Sequence, residues 1–194
     1  MRGSMARPLV LASSHDVELA ALASGGDRAA FGELVRRHGS AVRALLRRLG
    51  ADAGQADDVA QDAFLIAFEQ ITEFRGEGAF QGWVKRIAAR LYARRRRRDA
   101  KAELMVDPPE PLAAIQADEI GAAAIDLDEA LCCLSASERL CVCLCYGGGL
   151  SHAEAADALN APLGAVKSHV KRGLDKLRTR LATGGDGAGG QRRG

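Results

Sequence analysis

The strongest constraint on this chain lies between residues 151 and 181. Ser151-His152-Ala153-Glu154 is a Ser-x-x-Glu capping pattern, in which the serine accepts from a free backbone N–H of the first helical turn and the glutamate reaches back. Ala155, Ala158 and Leu159 then form a short apolar stripe. Asn160 suits the left-handed exit of a helix, and Pro162 suits the first turn of the next, where a missing N–H costs nothing. Val166, Val170, Leu174, Leu177 and Leu181 recur at steps of 4, 4, 3 and 4, one face of a second, longer helix. The spacing predicts a helix-turn-helix over 151–181. It leaves Lys167, Ser168, Lys171, Arg172 and Arg178 facing outward, with six bases against one acid, Asp175, from 162 to 181. Such a helix can enter a major groove, and its N-terminus can accept a phosphate. A solvated helix pair in an ordinary bundle would show the same apolar spacing.

The rest of the chain reads as all-α: two small helical domains joined by a flexible acidic linker, the C-terminal one carrying the helix-turn-helix. Ala and Leu dominate, and aromatic residues are only 4% of the 194, which favours helices over sheets. Residues 1–15 are expected to be a disordered N-terminus or tag, with Met1 to Ser4 either native or a remnant of expression. Residues 16–98 form the first helical block. Asp27 opens a helix that Gly50 closes, Asp57 and Asp58 open a second, and a third runs from about Phe80 to Arg98. Residues 99–122 are a linker: 99–130 hold nine acids against one base, Lys101, and Pro108, Pro109 and Pro111 forbid a continuous helix. Residues 123–182 form the second block, and 183–194, with six glycines, a disordered tail. Neither a membrane span nor an export signal is expected, and five cysteines, an odd number, suit reduced thiols in a cytoplasmic protein.

A second charged feature concerns the first block. Trp83 to Arg98 hold eight bases and no acid, and Arg86, Arg90, Arg94 and Arg97 share a helix face. A stripe of that kind neutralises phosphates, and five consecutive arginines repel one another without a polyanion. Phe74, Phe80, Trp83 and Tyr92 lie beside it; aromatic rings there can stack on an extruded base or fill a core. For Trp83, flanked by Val84 and Ile87, the core is favoured.

Three segments in order resemble the extracytoplasmic-function (ECF) sigma factors, the small two-domain class of RNA polymerase initiation factors in the sigma-seventy family. They are Gly26 to Leu34; Ala56 to Phe68 with Phe74-Arg75-Gly76 and Trp83 to Ala88; and Leu150 to Leu181 with Pro162-Leu163-Gly164-Ala165-Val166-Lys167-Ser168. The resemblance implies that 16–98 is sigma region 2, which binds core polymerase and the minus-ten element. It implies that 123–182 is sigma region 4, which binds the minus-thirty-five element. Asp58, Gln61, Asp62 and Leu65 would dock on the β′ clamp helices of core RNA polymerase, and region 4 would meet the β flap. Arg75, Trp83, Arg86 and Arg90 would capture the melted minus-ten strand, and Lys167, Ser168, His169, Lys171 and Arg172 would read the minus-thirty-five element. The linker would thread the RNA exit path, and an anti-sigma factor would hold the protein inactive. Ala155 and Ala165 depart from the family's usual larger or threonine residues.

Other functions find less support. No nucleophile–base pair or phosphate-cradling loop is evident, since no Lys-Ser or Lys-Thr follows Gly147-Gly148-Gly149. An enzyme is not expected, nor any catalytic residue or cofactor. The alternative is a stand-alone helix-turn-helix regulator with a thiol or metal sensor among Cys132, Cys133, Cys141, Cys143 and Cys145. Cys141 and Cys145 share a helix face, with His152 as a possible further ligand. Small apolar filler is the simpler role for these thiols, with no metal.

Overall fold

The computed structural model describes residues 11–74, 76, 79–103 and 122–184. Among them the regular elements are all helical. They are α1 (Asp16–Ser24), α2 (Arg28–Leu49), α3 (Ala53–Glu69), α4 (Phe80–Glu103), α5 (Ala122–Leu131), α6 (Ala136–Val142), α7 (His152–Leu159) and α8 (Leu163–Gly184). A 3₁₀ turn over Ile71–Glu73 follows α3, and a wide π turn over Cys143–Gly147 follows α6.

Local chemistry explains the ends. The Asp27 carboxylate accepts from the N–H groups of Ala29 and Ala30 and starts α2. Gly50 ends it at φ 104, left-handed backbone that a side chain would strain. Helix α3 begins earlier than the acidic pair suggests. Its N-cap is Asp52, whose carboxylate accepts from Gln55 N–H at 2.8 Å, so Asp57 and Asp58 lie inside the helix. Carboxylates favour a first turn, which is why the acidic pair suggests a start, but the cap that satisfies a backbone donor lies five residues upstream of Asp57. Helix α4 runs on to Glu103, past the expected end at Arg98. The proline-rich remainder of the acidic segment, 104–121, lies outside the described residues, as do 1–10 and 185–194.

The first block packs α2 between α1, α3 and α4. Leu34, Val42 and Leu46 of α2, Ala63 and Ala67 of α3, and Phe80, Val84, Ala88 and Tyr92 of α4 are fully buried. Alanine dominates α3's inner face, which lets the backbones approach closely. Arg37 fastens the N-terminal segment to this block. Its guanidinium donates to the carbonyls of Leu11, Ala12 and Ser14 and to the Asp16 carboxylate, at 2.8–3.0 Å. Its Nε also donates to Glu33 at 2.9 Å, so three of its five acceptors are backbone oxygens, which no residue spacing announces.

In the second block α6, α7 and α8 form the expected helix-turn-helix and its support. Ser151 and Glu154 make both bonds of the capping box. Asn160 is the one non-glycine residue with positive φ among the described residues, at 52°. Pro162 lies just before α8 and its carbonyl accepts from Ala165 and Val166. Val166 and Val170 are buried, and Leu174 and Leu177 half-buried, against α6 and α7.

Candidate nucleic-acid interface

The recognition helix is α8. Lys167, Ser168, Lys171 and Arg172 are exposed on it and His169 is half-buried, so the five expected minus-thirty-five residues lie along one stretch of the helix. Arg172 donates to His169 Nδ1 at 3.0 Å and sits 3.6 Å from Glu138. Glu138 is buried beneath the helix. Its carboxylate accepts from Lys176 Nζ at 2.7 Å and from Ser135 N–H at 3.0 Å. The Lys176 hydrogen bond, then the Ser135 N–H, hold its pKa at about 2. Gly173 faces the same seam: a Cβ there would come within 2.7 Å of Val142, so glycine is what lets α8 lie this close to α6. Glu138 is a functional residue missed from the sequence, although Ser135-Ala136-Ser137-Glu138 repeats the capping pattern found at Ser151.

The other basic surface is α4. Arg86 is exposed and Arg90 half-exposed. Trp83 is half-buried in an aromatic cluster, its ring 5.5 Å from Phe74 and 5.7 Å from Phe80. The core preference for Trp83 therefore holds in part, since the side chain packs against the core but is only partly buried. Arg75 lies outside the described residues. Burial, with Arg48 nearby, pushes the Lys85 ammonium down from its ordinary range, so the inner edge of this surface is partly desolvated.

Asp58, Gln61, Asp62 and Leu65 are all exposed on α3. They divide between two environments. Gln61 and Leu65 line a groove of about 580 Å³ between α2 and α3, whose apolar walls include Phe31, Phe64 and Phe68. Phe31 and Phe68 meet edge to face at 4.9 Å. Leu65 is 55% exposed. Asp58 points the other way, 4.0 Å from Arg95 of α4. The groove was not anticipated, because it needs α2 and α3 side by side.

The two blocks touch through specific contacts. Arg48 of α2 donates to Asp128 of α5 at 2.7 Å. Arg90 of α4 is ion-paired with Glu154, the capping glutamate of α7. Glycines make the approach possible: a Cβ on Gly147 would fall 2.7 Å from Leu45 Cδ1, and one on Gly148 would fall 2.6 Å from the Ala89 Cβ. The Arg86 guanidinium lies beside Gly149, 3.8 Å from where a Cβ would be.

The cysteines form no ligand set. Among the described residues no three His, Cys, Asp or Glu side chains gather as a metal site, so Cys141, Cys145 and His152 do not make the centre that the alternative reading requires. Cys141 and Cys143 are buried, and burial pushes both thiols up to about 11, opposite to what a reactive thiolate needs. Among the described residues no helix is long and apolar enough to cross a membrane.

Comparison with known proteins accounts for the two basic helices together. The Sigma-70 region 2 family model matches residues 34–102 and the Sigma-70, region 4 model matches 130–179. The RNA polymerase sigma factor NccH of Alcaligenes xylosoxydans xylosoxydans is 34% identical over 177 residues, covering 84% of this chain and 93% of that one. This chain belongs to the ECF RNA polymerase sigma factor family. The ECF RNA polymerase sigma factor SigE of Mycolicibacterium smegmatis is 33% identical over 81% of this sigma factor, which spans 65% of SigE. Among solved structures, the sigma factor RpoE of Bartonella quintana, in complex with the anti-sigma factor NepR, superposes with a TM-score of 0.54. It covers 78% of this chain and 96% of its own at 24% identity, a likeness of fold.

Proposed function

We propose that this sigma factor binds core RNA polymerase and brings it to its promoters with two separate DNA surfaces. Residues 16–98 serve as the unit that grips polymerase and the minus-ten strand, and 123–182 as the unit that reads the minus-thirty-five element. The observation that carries the reading is that a member of this family exposes bases on two helices of different blocks. Arg86 and Arg90 lie on α4, and Lys167, Lys171 and Arg172 on α8. Phosphate neutralisation supplies affinity on both, and specificity comes from side chains that reach bases. Gln61 and Leu65 in the α2–α3 groove, with the exposed Asp58 and Asp62 of the same helix, form the surface for the β′ clamp helices, and α8 with its support meets the β flap. The half-buried Trp83 and Arg75 complete the strand-capturing set.

The protein carries out no catalysis of its own, needs no cofactor, and acts in the cytoplasm, where promoters and polymerase are. An anti-sigma factor controls it by covering the polymerase-binding surfaces, as fits a fold shared with an RpoE that was solved bound to NepR. In vitro transcription tests the reading. Core polymerase plus this protein should initiate at a defined set of start sites from a genomic library of templates, with a shared motif near minus ten and minus thirty-five. Initiation no different from core polymerase alone, with tight duplex binding by the free protein, would instead favour a stand-alone regulator.

A further inference from the structure

Trp83 belongs to a stack of rings that reaches well beyond α4. Phe80 is fully buried at the start of that helix. Phe74 meets it edge to face at 5.4 Å, and the Trp83 ring lies 5.7 Å away. A third ring leans on Phe80 from α2: His38, tilted against it at 5.6 Å. His38 therefore touches the ring on which both of the others rest.

His38 is itself tied down. Its Nε2 donates to one Asp16 oxygen at 2.7 Å, and a carboxylate only accepts, so Nε2 is the nitrogen that carries the proton. The other Asp16 oxygen accepts from Arg37 at 3.0 Å. With both oxygens engaged, the carboxylate fixes the plane of the imidazole. The His38 side chain is only 13% exposed, so water has little access to replace the bond. Helix α1 also reaches the neighbouring loop. Val17, next to Asp16, lies against Gly76, whose backbone is left-handed at φ 73. A Cβ on Gly76 would stand 3.4 Å from Val17 Cγ1. The same helix packs on the 3₁₀ turn that leads into Phe74. Asp16 and Val17 are not core residues, since one is half-exposed and the other exposed. Their contacts nonetheless converge on the aromatic cluster and its loop.

We propose that Asp16 and His38 are positioning residues for capture of the minus-ten strand. The pair sets the orientation of Phe80 and, through it, of Trp83 and Phe74, which makes α1 a part of the melting apparatus although it carries no base-contacting residue. This rests on the reading of Trp83 as strand-capturing. A ring that receives an extruded base is most effective when it is already in place as the base arrives. The Asp16–His38 bond places it without touching DNA.

Trp83 is the single tryptophan of the chain, so its fluorescence in the full-length protein reports on this cluster alone. His38→Phe keeps a ring against Phe80 and removes the donor. Asp16→Ala removes the acceptor and keeps the ring, so the two variants share only the lost bond. Val59→Ala, buried in α3, a helix that gives the cluster no ring, controls for lost stability. Circular dichroism shows that each variant is folded at the assay temperature. In H38F and D16A, acrylamide quenching of Trp83 should change by about 1.5-fold or more. Initiation by core polymerase plus either variant on genomic templates should fall by about threefold to tenfold, with affinity for core polymerase unchanged. V59A should show neither effect. Unchanged quenching in both variants would overturn the proposal, as would an equal change in V59A or a loss of initiation that tracks affinity for core. Trp83→Ala separates this proposal from the reading beneath it. If W83A initiates poorly while H38F and D16A initiate normally, Trp83 keeps its role and the positioning falls. If W83A initiates normally, the strand-capturing role of Trp83 falls and the positioning with it.

Discussion

Glu138 of α6 and Lys176 of the recognition helix are joined by a 2.7 Å hydrogen bond that fastens α8 to its support. The Glu138 carboxyl is held at about 2 against an ordinary value of 4.5, so the unfolded chain takes up a proton before the folded one does. The stabilisation is therefore complete above about pH 5 and is lost as the pH falls towards 2. Glu33, held at about 2 by Arg36 and Arg37, acts in the same window in the first block. Glu138→Gln should consequently lower the Tm at pH 7 and flatten, without abolishing, the fall in Tm between pH 5 and 3. Thermal melts of both proteins across that range check it; parallel curves would show that the Lys176 bond contributes nothing.

The five thiols should divide by burial. Cys132 and Cys133 are exposed, whereas Cys141 and Cys143 are buried and pushed up to about 11 by loss of solvent. At pH 7.5 a thiol reagent should consume Cys132 and Cys133 quickly, Cys145 more slowly, and Cys141 and Cys143 only as fast as the block opens. Zinc should not slow the exposed pair. Rapid titration of all five in the folded protein would contradict the burial shown here.

Much of this was legible in the sequence, and the parts that were not share a cause. The helix-turn-helix was legible because each signal is local: the Ser151–Glu154 box, the left-handed Asn160 and the spacing from Val166 to Leu177 all act within a turn or two. Asp27 and Gly50 were legible for the same reason. The start of α3 was misplaced at Asp57 because a carboxylate inside a helix and one at its cap look alike until the donor is known; Gln55 N–H decides for Asp52. The exposure of Asp58, Gln61, Asp62 and Leu65 agreed with expectation, but the groove beside them depends on Phe31 and Phe68 meeting across two helices. Arg37 at the carbonyls of Leu11, Ala12 and Ser14, and Glu154 on Arg90, are contacts between residues far apart in the chain. No periodicity encodes them.

Small residues at the heart of the second block should make it the softer half. Ala155, Ala156 and Ala158 fill the inner face of α7, where larger aliphatic side chains would bury more surface, at about 0.8 kcal/mol per methylene. Helix α2 by contrast buries Phe31, Leu34, Val42, Leu45, Leu46 and Leu49. Amide hydrogens of 152–159 and 163–177 should therefore exchange faster than those of 30–49 under native conditions. Ala155→Ile tests the cause, raising protection if the core has room and lowering stability by about 1–3 kcal/mol if it is already full. Equal or slower exchange in the second block would show that its alanines are as well packed as the leucines of α2.

Leu65 offers the clearest separation of binding from folding. It is 55% exposed at the mouth of the α2–α3 groove, and Phe31, Phe64 and Phe68 behind it hold the groove open without it. Leu65→Arg places a solvated charge where a partner's apolar side chain would have to seat. The Tm should stay nearly unchanged, because little of the side chain is buried on folding. Affinity for core polymerase should fall by about tenfold or more, the usual effect of losing a central apolar contact at an interface. Val59→Ala, at a buried position on the opposite face of the same helix, should do the reverse, lowering the Tm and sparing affinity in the folded fraction. Titrating labelled core polymerase with each variant distinguishes the two. A loss of affinity that tracks Tm across both would place the partner's contact elsewhere than this groove.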